Sequence, residues 1–316
     1  MPDWQANSKL VLALDIGGTK TTAAIGTVEG KILSQKTLPT RAKEGFGVAW
    51  EVIAQLTGEV LSEQKDQVSS IAVSIGGPVD AAAGVILSPP NLPGWDEVPL
   101  KQLIEERFNL PVDVEHDAKA GALAEHYFGV AIGVKNFVFL TVGTGIGAGA
   151  LIDGRLARGN RDNFGEVGHW RLAESGPALY GKPGSWEGTA SGAGVAAMAT
   201  ESNPDRWPAG TAASAVFDAA RAGDEEAKVV VDRFSESLGR GIALIIDLLA
   251  PERIVLGSLG VRTGDLILEK VQSIVDRESS SRNLPCPVVP SGLGEDLGIL
   301  APLAVARARK VEGMLP

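Results

Sequence analysis

The chain has 316 residues, 44% hydrophobic and 22% charged, a composition that fits one or two ordinary globular domains and excludes a disordered or low-complexity protein. Its formal net charge of −10, with no Lys/Arg cluster, argues against nucleic acid as a partner. One cysteine, Cys286, leaves no intramolecular disulfide and no cysteine-based metal cluster within a chain, which reads as a reduced, cytoplasmic protein. The opening MPDWQANSK lacks the basic start and apolar core of a signal peptide. The most apolar helical run, GIALIIDLLAP from Gly241 to Pro251, is too short for a bilayer and carries Asp247, so no membrane role is expected.

In chain order, KLVLAL (Lys9–Leu14) predicts a strand buried on both faces. It ends in Asp15 and a GGTK turn. TTAAIGTVEGKILSQKTLPT then predicts two short strands joined through EGK. Apolar residues at 49, 52, 53, 56, 60 and 61 have helical spacing, and Val68–Ile75 reads as a strand running into GGP. PLKQLIEERFNL predicts a helix and PVDVE a strand. The following HDAKAGALAEHYFG, with small residues at 118, 120, 121, 122 and 124, predicts a closely packed helix. The first ~120 residues therefore alternate strands and helices as an α/β unit does.

The design then starts again. NFVFLTVGTGIGAGALIDGRL (Asn136–Leu156) has a buried strand, a glycine-threonine turn, a second strand and a DG turn. This repeat is one of architecture rather than of residues. Helices follow from Ser214 and from Lys228, the second with Val230, Phe234, Leu238, Ile242, Ile245 and Leu249 as its seam, and then the strand RIVLG (Arg253–Gly257).

A glycine turn lets backbone N–H groups approach phosphate oxygens closely. Neither turn here has the GxxxxGK[ST] or GxGxxG spacing, so neither a P-loop nor a dinucleotide-binding turn is expected. One such turn reads equally well as a tight hairpin. Two, each opening a half of the chain, point to nucleotide phosphates.

DIGGTKT, SIGGPVD, PPNLPGW, the Asp after PVDVE, TVGTGIGAG, GEVGH, WEGTASG, IVLG and LGEDLGILAPLAVA occur in this order. With them the chain resembles the ROK family of sugar kinases, of the actin/hexokinase-like ATPase superfamily, from about Leu10 to about Ala306. The resemblance implies an α/β, two-domain, actin-like ATPase (ribonuclease H-like) fold with an interdomain cleft. Residues 1–118 plus a C-terminal helix at 300–316 would form one domain, and 119–299 the larger one. It implies ATP-dependent phosphorylation of a hexose 6-hydroxyl, glucose first, with ATP and Mg²⁺ as cofactors and a homodimer as the assembly.

Residue by residue, the resemblance places Asp15 at the Mg²⁺ and γ-phosphate, acting through a water; a carboxylate capping a turn is the plainer reading. Gly17, Gly18, Thr19 and Lys20 would form one phosphate hairpin, and Thr144, Gly145 and Gly147 the other. Gly257 and Gly260 would lie in a loop beneath the adenine, with 294–296 close by. Asp117 would be the catalytic base; it also reads as a helix N-cap, a role compatible with catalysis because a helix N-terminus favours the carboxylate anion. Gly77, Asn91, His116, Glu166, His169 and Glu187 would contact the sugar. The plainer readings are a helix-start carboxylate for Glu187 and a buried, satisfied ring for His169. Trp95 reads as structural.

Two departures from the family pattern stand out. His116 occupies the place of the usual Asn before the catalytic Asp, so sugar preference is expected to differ. The three cysteines that hold a structural zinc in many relatives are replaced by Ala178, Tyr180 and Ser185, so no zinc is expected. Tyr180 and Trp186 are candidates to fill the vacated space. Three other classes of protein share parts of this pattern. A DNA-binding repressor is disfavoured by the 14 residues before Asp15 and by the negative charge. A non-catalytic sugar sensor is disfavoured by retention of Asp15, Asp117 and both glycine turns. A polyphosphate-dependent kinase is disfavoured by GGTKT and the acidity of the chain. A kinase for fructose or an N-acetylhexosamine stays open.

Overall fold

The structure is a computed structural model that describes residues 10–89, 92–179, 181–280 and 285–312. The chain divides into two compact units. One holds residues 1–132, 155–164 and 295–316, the other 133–154 and 165–294.

The first unit is built on five strands: β1 (Leu10–Ile16), β2 (Lys20–Gly26), β3 (Ile32–Pro39), β4 (Val68–Ile75) and β5 (Val112–His116). They lie in the order β3-β2-β1-β4-β5. β1 is apolar from Leu10 to Leu14 because it is central, with β2 antiparallel on one side and β4 parallel on the other. β3, at the edge, alternates and is mostly exposed. Helix α1 (Phe46–Ser62) makes the crossover from β3 to β4, and α2 (Leu100–Phe108) precedes β5. α2 stops at Asn109, whose φ of 54° suits a left-handed helix end. Trp95 is fully buried and meets Phe46 edge-on at 4.9 Å, a packing role.

Helix α3 (Asp117–Phe128) and the last helix (Leu297–Arg307) complete this unit. Residues 118–125 of α3 are all buried, which its run of alanines and glycine permits at close range. A Cβ on Gly26 of β2 would come within 2.8 Å of Leu303 in the last helix, so helix and sheet are in van der Waals contact there. The compact unit thus extends to residue 132, beyond the boundary at 118 read from the sequence. α3 stays with the sheet and the last helix it packs against. The segment 155–164 also belongs to this unit, which no sequence signal marked.

The second unit repeats the topology. β6 (Phe137–Val142) pairs antiparallel with β7 (Ile146–Ile152) and parallel with β8 (Arg253–Leu256), and β9 (Val288–Pro290) adds a further parallel strand. The order β7-β6-β8-β9 matches β2-β1-β4-β5. Helices α4 (Trp186–Ala190), α5 (Gly192–Ser202), α6 (Ala213–Arg221), α7 (Glu225–Leu249), α8 (Leu259–Arg262) and α9 (Gly264–Glu278) complete it. α7 starts where Asp224 Oδ1 accepts from Ala227 N at 2.9 Å, with Glu225 and Glu226 at the positive helix end. It stops at Ala250, left-handed with φ 45° and followed by Pro251. Among the described residues, no helix is long and apolar enough to cross a membrane.

Candidate functional site

β1, β4 and β5 run parallel, and their register pairs Ile16 with Ile75 and Ile75 with His116. Asp15, the Gly76–Gly77 bend and Asp117 therefore gather at the carboxyl ends of neighbouring strands, where open α/β sheets take ligands. The Asp15 carboxyl is pushed up to about 7, first by burial and then by the negative charge of Asp117, with Lys20 opposing both. The first turn of the last helix closes on it: a Cβ at Gly298 would fall 2.7 Å from Asp15 Oδ2.

The GGTK hairpin stands beside this carboxylate. Gly17 N donates to Lys20 O at 3.0 Å and closes the turn. Thr40 then pins it, donating from Oγ1 to Gly17 O at 2.6 Å and from its amide to Thr19 O at 2.9 Å. Gly17 and Gly18 are half-buried, whereas Thr19 and Lys20 are exposed. A rigid turn so presents one cation and one hydroxyl to solvent.

At the end of β5 the structure revises one expectation. The N-cap of α3 is His116, not Asp117: His116 Nδ1 accepts from Ala118 N at 3.1 Å, and Asp117 is the first helical residue. Relieved of capping, Asp117 keeps a side chain 41% exposed at the positive end of α3. Its Oδ1 lies 3.2 Å from the same His116 nitrogen. A neutral ring accepts there from the amide, and a protonated ring would donate to the carboxylate. Gly77 faces the ring so closely that a Cβ would sit 2.2 Å from His116 Cδ2.

Beneath this pair lies a charged network that the sequence reading missed. Glu115 Oε1 accepts from His116 N at 3.0 Å, and Oε2 accepts from Arg158 Nη2 at 2.7 Å. Arg158 Nη1 also donates to Asp162, which accepts from Lys119 Nζ as well. Burial raises the Glu115 carboxyl above the usual range, against Arg158. Burial acts to lower Arg158, yet Glu115 and Asp162 outweigh it and hold the guanidinium charged.

In the second unit, Gly143 N donates to Gly145 O at 2.9 Å and forms the second glycine turn. Gly192 N and Ala193 N donate to Gly143 O at 2.8 Å and Thr144 O at 3.1 Å, so the start of α5 buttresses it. Thr144 is exposed, and Gly145 and Gly147 are half-buried. Glu187 on α4 is 6% exposed and accepts from Ile146 N at 3.0 Å through Oε2, which brings it against this turn. A Cβ on Gly145 would come within 2.6 Å of that oxygen. Glu166 is half-buried at the start of the 3-10 turn Val167–His169; His169 is exposed, not buried.

Of the three positions where relatives carry cysteines, Ser185 caps α4 by accepting from Gly188 N at 3.1 Å, and Ala178 lies in a two-residue strand. Tyr180 lies outside the described residues, as does Asn91. Trp186 is fully buried, stacks on Trp170 at 5.6 Å and donates from Nε1 to Ser237 O at 2.9 Å. Among the described residues, no group of three His, Cys, Asp or Glu could hold a metal ion. Gly257 and Gly260 are buried, and Gly260 sits in helix α8 rather than a loop. Cβ atoms there would meet Phe139 at 2.6 Å and Leu256 at 2.3 Å, so close packing requires glycine at both positions.

Duplicated units, each with a hairpin-led mixed sheet opening on a glycine-threonine turn, define an α/β protein of the actin-like ATPase fold. The chain belongs to the ROK family, whose model matches residues 11–309. It is 33% identical to a glucokinase of Halalkalibacterium halodurans over 276 residues, 83% of each chain. It is 31% identical to an N-acetylmannosamine kinase of Pasteurella multocida, over 92% of this chain and 93% of that protein. The crystal structure of a ROK family glucokinase from Streptomyces griseus in complex with glucose and AMPPNP superposes with a TM-score of 0.82 at 28% identity, covering 94% of this chain and 99% of that one.

Proposed function

We propose that the chain is an ATP-dependent sugar kinase that phosphorylates the 6-hydroxyl of a hexose, with glucose as the first acceptor. One observation carries this reading: Asp15 and Asp117 stand at the carboxyl ends of strands in one sheet, beside the GGTK hairpin, with the charge of Asp117 raising the Asp15 carboxyl and Lys20 opposing it. Phosphoryl transfer needs such an arrangement, because its loose transition state is stabilised by alignment and charge more than by base strength.

Asp117, exposed at the helix start, orients the acceptor hydroxyl and takes its proton as the phosphoryl group moves. Gly17, Gly18, Thr19 and Lys20 are assigned to phosphate oxygens, and the family resemblance assigns Thr144, Gly145 and Gly147 to phosphate as well. The donor set at Asp15 fits Mg²⁺: a carboxylate raised by burial and by a second acid is one that a divalent cation would hold ionised. Bound there through water, the ion would neutralise phosphate charge. Gly77, Asn91, His116, Glu166, His169 and Glu187 are assigned to the sugar, and Gly257 and Gly260 to the nucleotide. A cytoplasmic homodimer without zinc is part of the reading, supported by the single cysteine and the family resemblance.

A coupled ATP-consumption assay over glucose, fructose, mannose and the N-acetylhexosamines tests the acceptor. The N-acetylmannosamine kinase relative and His116 at a sugar-reading position make an N-acetylhexosamine the second acceptor to try. In Asp117→Asn, kcat is expected to fall by about 10²–10⁴, the range for a positioned base, while glucose still binds by calorimetry. Turnover within about tenfold of wild type, against that range, would end the assignment.

A further inference from the structure

Two buried charges flank Asp117 at equal distance along the chain. Glu115 lies two residues before it and Lys119 two after, with side chains 1% and 2% exposed. Their partners come from a strap, residues 155–164, that belongs to the first unit although the residues on both sides of it belong to the second. Arg158 forks, giving Nη2 to Glu115 at 2.7 Å and Nη1 to both Asp162 oxygens at 2.9 Å. Asp162 in turn accepts from Lys119 Nζ at 2.9 Å on its carboxylate and again on its backbone carbonyl. Two anions and two cations close a neutral chain of bonds from one flank of Asp117 to the other. Arg161 and Asp162 are both left-handed, with φ of 50° and 60°, a conformation that costs non-glycine residues and persists where its surroundings impose it. That bend accompanies the double contact of Asp162, carboxylate and carbonyl together, with Lys119.

Stability is a poor explanation for the network. Well-packed apolar side chains of similar volume commonly serve a fold as well as buried ion pairs do, or better. Phosphoryl transfer supplies a better one, since a misplacement of about 1 Å at the reacting groups can cost about 100-fold in rate.

We propose that Arg158 and Asp162 are positioning residues for the phosphoryl-transfer step: by gripping Glu115 and Lys119 they lock both flanks of Asp117 and fix where its carboxylate points. This rests on the catalytic reading of Asp117. The grip acts through backbone. Glu115 holds the amide of His116, and Lys119 anchors the first turn of α3. Neither Arg158 nor Asp162 needs to touch a substrate.

Two variants keep the test clear of simple unfolding. Arg158→Lys retains the charge but replaces the planar fork, which gives separate nitrogens to Glu115 and Asp162, with a single nitrogen on a shorter side chain. Lys119→Met combined with Asp162→Asn removes one cation and one anion, so no buried charge is left unpaired. Both are measured beside Asp117→Asn for kcat, for the KM of ATP, and for the stoichiometry of glucose binding by calorimetry, which counts intact sites. The expected result is a kcat lowered about 10–100-fold, up to the cost of an ångström-scale misplacement, with ATP KM and glucose stoichiometry unchanged. Turnover near the wild-type rate in either variant overturns the inference, as does a kcat loss matched by an equal loss of glucose sites. If Asp117→Asn is inactive while the strap variants run at full rate, positioning alone fails. If Asp117→Asn itself turns over, the catalytic reading fails and this inference goes with it.

Discussion

Replacing Asp15 by Asn should stabilise the ligand-free protein at alkaline pH while destroying its activity. The Asp15 carboxyl is raised from 3.8 to about 7. The folded chain therefore holds that proton more tightly than the unfolded chain does. Stability from this source is complete below pH ~4, falls as pH rises toward 7, and is flat above. Three pKa units at 1.36 kcal/mol each give about 4 kcal/mol lost by pH 8. The side chain keeps a partial opening to water, which screens the effect, so about 2–4 kcal/mol is the working range. Asn keeps the shape and cannot ionise. At about 2–4 °C per kcal/mol for domains of 150–250 residues, Asp15→Asn should melt at least ~4 °C above wild type at pH 8 in a chelator, with the gap closing by pH 4–5. Magnesium with ATP should raise the wild-type melting point and leave that of the variant unmoved. An Asn variant no more stable than wild type at pH 8, or a gap independent of pH, would refute the argument that Asp15 ionises at a cost.

Two further changes probe the close contacts. Gly77→Ala would put a methyl 2.2 Å from the His116 ring and must swing it off the Ala118 amide. Steady-state kinetics should show the KM for sugar rising about tenfold, the factor for one lost hydrogen bond of roughly 1.4 kcal/mol, with the KM for ATP unchanged. Gly241→Ala would put a methyl 2.1 Å from the buried Trp186 indole. Overpacking of this kind costs about 1–3 kcal/mol, visible as a lower melting point and a red-shifted tryptophan emission.

Much of the fold was legible because its signals are local. The apolar run Leu10–Leu14 of β1, the helical spacing of α1 and the seam of α7 each reflect which side chains must leave water. The glycine-threonine turns were readable for the same reason, since a backbone-lined bend needs residues without bulk. Capping at α3 was less transparent. Both His116 and Asp117 can accept from an amide, and only the backbone path at the end of β5 decides which one does. The exposure of His169 likewise depends on what packs beside a 3-10 turn, which no periodicity records.

Of the residues around Asp15 and Asp117 that the sequence did not mark, Gly298, Arg158 and Asp162 are remote along the chain, whereas Lys119 is a near neighbour whose burial is not written in its surroundings. Gly298 reads as an ordinary first-turn glycine until the last helix is seen against Asp15. Arg158 and Asp162 sit in a polar stretch, RLARGNRDNF, that reads as a loop. Lys119 looks like a solvated charge in an alanine helix, yet it is 1% exposed. The sequence alone determined the strands and the turns and marked Asp15 and Asp117 beside them, since these signals depend on neighbours a few residues apart. Tertiary structure decided which charges are buried, and with whom, because desolvation and ion pairing depend on distance through space.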